Sequence, residues 1–239
     1  MTGRGDGKLL RPLTLARTSD SNPSVTIGLS LSTSPSTLSA SSEEPFNIVV
    51  TARILSSPHP ERPVTLWTHL SPLHALNTRA FENIKCITDK AKHIEIWPRS
   101  WPQYRWDSED VPHDEDFVTI PPRDQGTFSV RHQVPPDALR GAKVEQGERY
   151  RVKLTDKCLG TCWWTFGARD ELDGVRLRAW RSSEAEAEEE RALDADPELR
   201  EELERERRDK YGERPVTSGE NSGMLAMVPE AGEVEFEVV

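Results

Sequence analysis

Along this chain of 239 residues, apolar side chains recur at every second position in a series of short windows, the spacing of a strand with one buried face. Val25, Ile27, Leu29 and Leu31 alternate with small residues over 24–32. Phe46, Ile48, Val50, Ala52 and Ile54 do the same over 46–55, and 64–70 gives a third strand. Ile84 and Cys86 mark a window over 81–88, with 93–97 as its hairpin partner across Asp89-Lys90-Ala91. Residues 117–120 and 127–134 read as a second hairpin, joined by Pro121-Pro122-Arg123-Asp124-Gln125-Gly126. Phe128, Val130, His132 and Val134 share one face of it. Val234, Phe236 and Val238 alternate with Glu233, Glu235 and Glu237 in a terminal strand.

The densest window is 150–167. Val152 and Leu154 alternate with Arg151, Lys153 and Thr155, then Asp156-Lys157 and Gly160 turn the chain. Cys158, Leu159, Cys162, Trp163, Trp164 and Phe166 concentrate more apolar bulk than any other window. Residues 135–147 read as a loop and 175–180 as a further strand. About ten short strands with Gly/Pro turns, and no helix alternating with them, predict a mainly β fold, an antiparallel β-sandwich, with a barrel as the alternative.

Composition changes after residue 181. Between Glu184 and Arg214 there are 14 acidic against 7 basic side chains, a net of −7 out of the chain's −10. Ser183 can cap a helix to about Ala192, and Asp196-Pro197 begins a second that Gly212 ends near Tyr211. Glu201–Arg205, Glu204–Arg208 and Glu206–Lys210 are favourable i,i+4 pairs. Leu193, Leu199 and Leu203 form a thin apolar edge, too sparse for a coiled-coil seam. The predicted organisation is a tail over 1–19, a sandwich over 20–181 plus 233–239, and an acidic helical insertion with flexible linker over 182–232.

Outside that insertion the chain is near neutral, which gives no electrostatic case for nucleic acid or an anionic membrane. Cys86, Cys158 and Cys162 are too few for a disulfide framework, and no apolar run opens the chain as a leader would. The expectation is a cytoplasmic or nuclear protein, not a secreted one.

The most distinctive stretch is 97–106, where two Trp-Pro steps favour extended geometry. Its Trp97, Arg99, Trp101, Tyr104, Arg105 and Trp106 are the candidate binding residues. The rings either close over an open end of the core, offer a platform for a sugar, or form a hot spot for a protein. The acidic run at 107–116 lacks the spacing of a Ca²⁺ loop and reads as solvated. Cys158 and Cys162 lack the partner ligands a zinc site needs, so no metal or cofactor is expected. Cys158 with His132 as nucleophile and base has no support in spacing, and His132 reads as a core or rim histidine. No nucleophile elbow, Walker or dinucleotide-binding glycine pattern occurs.

The strand–Pro-Pro–strand pattern at 117–134 and Gly147-Glu-Arg-Tyr-Arg-Val-Lys-Leu resemble paired strands of an immunoglobulin-like fold. The Cys-Trp-Cys spacing of antibody domains is absent. Over 45–180 the texture also resembles uncharacterised intracellular proteins of filamentous fungi, a resemblance that implies a fold and no activity. The reading that follows is a non-catalytic interaction module, with a protein of basic surface as partner. A carbohydrate or small-ligand module built on 97–106 and an enzyme with a hidden site are the alternatives.

Overall fold

The computed structural model describes residues 24–39, 45–68, 71–95, 116–161, 163–172, 176–177, 191–211, 216–217 and 225–239. Among these the chain is mainly β. In order, the elements are β1 (Val25–Ser34), β2 (Asn47–Ser56), β3 (Val64–Trp67), β4 (Ile84–Cys86), β5 (His93–Ile94), β6 (Phe117–Ile120) and β7 (Phe128–Gln133). They continue with α1 (Pro136–Ala142), β8 (Arg149–Lys153), β9 (Trp164–Phe166), β10 (Arg176–Leu177), α2 (Pro197–Tyr211), β11 (Val216–Thr217), β12 (Leu225–Ala231) and β13 (Glu233–Glu237).

The first sheet has the order β12-β1-β2-β7, the second β13-β8-β4-β5 and the third β6-β3-β9. Side chains from all three enter one core, including Ile27, Val50, Tyr150, Val152, Leu66 and Trp164. Phe236 of β13 lies 4.6 Å from the ring of Phe46 at the entry to β2, and stacks on Tyr150 at 5.7 Å. This arrangement is compatible with a sandwich. The pleat explains the outer faces. In β8, Tyr150 and Val152 point in while Arg149, Arg151 and Lys153 point out. Across the ladder, Arg149 and Arg151 both bond Glu235 of β13, at 2.5 and 2.7 Å. The basic and acidic alternations of the two strands thus meet as opposite charges on the solvent face.

Four expectations are corrected. Residues 117–134 are not a hairpin: β6 pairs with β3, while β7 pairs with β2 in another sheet. The 121–126 turn therefore crosses between sheets, held where the Arg123 N–H donates to the Pro60 carbonyl at 3.1 Å. Residues 135–147 are not all loop. Pro136 opens α1 and Asp137 sits in its first turn, both favourable at a helix start, and Lys143 in the left-handed region (φ 50°) ends it. The sheets are not wholly antiparallel, because β12 runs parallel to β1 with Ile27 opposite Met227. Nor are residues 182–232 all insertion and linker, since β12 lies within them and buries Leu225 and Met227 in the core. Farther upstream in the same stretch, the Asp196 carboxylate accepts the Glu198 and Leu199 N–H groups at 3.1 and 3.2 Å and caps α2.

The β12 pairing makes a clear prediction. Met227→Asp places an unpaired carboxylate in the core and costs on the order of 3 kcal/mol in urea unfolding. Val228→Thr, on the outward face of the same strand, changes stability by less than about 0.5 kcal/mol. Equal, small effects of both would mean that residues 225–231 do not pack as a strand.

Candidate functional site

The polar chemistry of the described core gathers around residues 71–81, an irregular segment between β3 and β4. Ser71, Pro72, Leu73, His74, Asn77, Ala80 and Phe81 are all buried there. A buried segment outside a ladder must find partners for its own N–H and C=O groups. Much of the supply is local. The Ser71 hydroxyl accepts the Leu73 N–H at 3.2 Å, and the Asn77 side chain donates to the Ser71 carbonyl at 3.0 Å. The rest comes from other elements. His132 of β7 sits 2.8 Å, through Nε2, from the Pro72 carbonyl. The Cys158 thiol donates to the Arg79 carbonyl at 3.6 Å, and the Thr155 N–H to the Ala80 carbonyl at 2.8 Å.

His74 would be the first suspect for catalysis, because its Nε2 lies 2.7 Å from Oδ1 of Asp116. Its other nitrogen decides the matter. Nδ1 is 3.2 Å from the Leu76 N–H and must accept from it. The ring is therefore the Nε2–H tautomer, donating to Asp116, and both nitrogens are committed. A general base needs a lone pair facing substrate, and this ring has none to spare. Asp116, expected in a solvated acidic run, is instead largely buried, its side chain 18% exposed.

His132 is committed differently. A carbonyl can only accept, so Nε2 carries the proton. Nδ1 is buried without a hydrogen-bond partner, and the ring meets Phe81 edge-on at 4.7 Å. Burial pulls its pKa down from 6.5 to about 4, against the pull of the Pro72 and Ala75 carbonyls. Burial also pushes the Cys158 thiol up, away from the thiolate a nucleophile requires. His132 and Cys158 are thus packing residues that satisfy backbone groups.

A second polar cluster lies at the end of β8. The Tyr150 hydroxyl donates to Glu148 Oε2 at 2.8 Å, the Glu145 N–H donates to the same oxygen at 2.8 Å, and Lys92 Nζ donates to Oε1 at 2.6 Å. Burial alone would raise the Glu148 carboxyl, but these donors together hold it below the usual carboxylate range. Burial and the bond to Glu148 push Tyr150 far up. Among the described residues, no group of three or more His, Cys, Asp or Glu side chains could hold a metal ion.

An open recess of about 760 Å³ lies between β5 and α1. His93 and Glu95 line one side, and Pro135, Asp137, Ala138, Gly141 and Ala142 the other. The helix side is small and apolar, and carboxylates stand on both flanks. Asp137 pairs with Arg140 one turn along its own helix, and Glu95 with His93 at 3.3 Å. Exposed pairs of this kind are weak and exchange readily for another cation. The candidate residues Trp97, Arg99, Trp101, Tyr104, Arg105 and Trp106 lie outside the described residues, as does Cys162. Sequence reading missed His74, Thr161 and the 92–148–150 cluster. Thr161 is 4% exposed, with its hydroxyl 2.6 Å from the Trp67 carbonyl. An Asp or Thr beside an apolar run carries no mark of burial until its distant partner is known.

Fold and site together define a mainly β protein whose described buried ionisable groups hold the structure and whose recess faces solvent. Comparison of the chain with family models, with curated proteins and with solved structures finds no match. No described helix is long and apolar enough to cross a membrane.

The Glu148 cluster has a pH signature. Its carboxyl is held below 4.5, so the stabilisation is complete above that value and is lost as pH falls through the lower, folded pKa. Lys92→Met is accordingly less stable than wild type at pH 7 in urea unfolding, and the gap narrows below pH 4.5. A gap that is constant with pH would contradict the pairing.

Proposed function

We propose that this chain is a non-catalytic intracellular interaction module, an immunoglobulin-like sandwich with an acidic helical insertion, whose partner is a protein with a basic surface. The observation that carries this reading is the recess between β5 and α1, with Glu95 and Asp137 on its flanks. Pro135, Ala138, Gly141 and Ala142, which line it, have little side-chain bulk, so an extended peptide can lie against them. Carboxylates lining the recess, in a chain with net charge −10, favour Lys or Arg in that peptide and speed its approach. The acidic stretch 184–214 adds to the same field. Residues 97–106, which follow β5 in the sequence, add Trp, Tyr and Arg, the residues most often found at binding hot spots. Catalysis has less support, because His74, His132, Cys158 and Glu148 are each tied to a structural partner.

Selection of a displayed peptide library against the full chain tests this. Enriched peptides carry Lys or Arg beside small apolar residues, and Gly141→Arg weakens them tenfold or more. A side chain at Gly141 meets nothing within 4 Å, so that substitution fills the recess without disturbing the core. Soluble glycans leave the tryptophan fluorescence unchanged. Peptides without basic bias, or equal binding by the variant, would remove the reading.

A further inference from the structure

We propose that two copies of this chain pair through β7, antiparallel about a two-fold axis at Val130, so that their first sheets join into one. β7 ends that sheet, with β2 on one side of it. The phase of its backbone is set where the Val134 N–H donates to the Phe46 carbonyl at 2.8 Å. Bonds of an antiparallel ladder recur at every second residue, so Phe128, Val130 and His132 face β2. Ser129, Arg131 and Gln133 turn their N–H and C=O groups the other way. All three are exposed, and among the described residues no backbone group bonds them from that side.

Open edges invite further strands, and sheets blunt them with brevity, charge, proline or cover. The other described edges are blunted. β5, β9, β10 and β11 have only two or three residues each. β12 carries Pro229, and β13 carries Glu233, Glu235 and Glu237. At β6, Arg169 donates to the Phe117 carbonyl at 3.3 Å and to the Thr119 hydroxyl at 3.0 Å. β7 has six residues, no proline and no acidic side chain.

Charge and register select a second copy as the occupant. In a chain of net charge −10, β7 bears one formal charge, Arg131, so two copies meet here without the repulsion of their totals. A basic peptide suited to the recess would meet a like charge at Arg131. The two registers that overlap most of β7 are centred on Arg131 and on Val130. The first sets Arg131 against Arg131 of the second copy, which is unfavourable. The second sets Arg131 against Ser129 of the second copy, and Val130 against its own counterpart. Phe128 and Val130 are half-buried against the core, so each copy extends the other's apolar face. One strand pair is smaller than a stable dimer interface, so the association is weak and concentration-dependent.

Sedimentation equilibrium of the full chain and two variants tests this. Wild type is a reversible mixture of the 27.0 kDa chain and its dimer. Ser129→Glu puts a carboxylate opposite Arg131 of the second copy and tightens the dimer, whereas Ser129→Lys puts a like charge there and weakens it. Each effect is about fivefold, because the two-fold axis repeats the pair. Ser129 is exposed and its hydroxyl bonds that of Thr51 at 2.9 Å, so neither substitution touches the core. A chain that stays monomeric to roughly 200 µM would overturn the proposal. So would a dimer that neither variant shifts, or that both shift in the same direction. A monomer whose Ser129, Arg131 and Gln133 amides gain hydrogen-exchange protection when a selected peptide binds would give the edge to a partner strand instead, and overturn it too.

Discussion

An irregular segment buried between sheets must have its backbone polar groups satisfied without a ladder, and that requirement shapes this protein. Each unpaired buried group costs on the order of 1–3 kcal/mol. Residues 71–81 carry several such groups, so the surrounding elements are drawn into supplying donors and acceptors. His132 comes from β7, Cys158 and Thr155 from the turn after β8, and Asp116 from the entry to β6. Those elements belong to three different sheets. The segment is therefore the knot through which the sheets are tied, and the core hydrophobics close around it.

The same requirement explains why residues of catalytic type sit in the core without being poised for catalysis. A histidine against an aspartate, a buried cysteine and a glutamate between a lysine and a tyrosine would each suggest chemistry in isolation. In place, each partner is a backbone group or a side chain that is itself committed. Among the described residues, a recess lies open between β5 and α1, lined by small residues of the helix and by carboxylates on both sides. The proposed binding function rests on the commitment of the described core groups and on the carboxylates that line the recess, two arguments that do not depend on each other.

Strands whose alternation is strong were legible from the sequence. β1, β2, β8 and β13 each follow their inward apolar positions, and β4 pairs with β5 across the predicted turn. Pairing partners were less legible. Pro121-Pro122 and Gly126 specify that the chain turns, and nothing in them says whether the next strand joins the same sheet. β12 hid behind Pro229 and its Gly-rich approach, residues that argue against a strand unless it lies at an edge, which is where it lies. The start signals of α1, Pro136 and Asp137, were present, but seven residues give too short a period to read. For the site, His74 and Asp116 are 42 residues apart and carry no local mark of their pairing. The charge alternation of β8 and β13 was a usable signal, since Arg-x-Arg-x-Lys and Glu-x-Glu-x-Glu suit one another as neighbouring strands, which is how they pair.

The central claim is that His74 and His132 are neutral structural rings that satisfy the buried segment. A long-range ¹H–¹⁵N spectrum of the histidine side chains at pH 7.5 tests it most directly. The account predicts two rings with a proton on Nε2 and a bare Nδ1, His74 because Leu76 donates to that nitrogen and His132 because Pro72 takes the Nε2 proton. A protonated ring, or the opposite tautomer at either position, would contradict it.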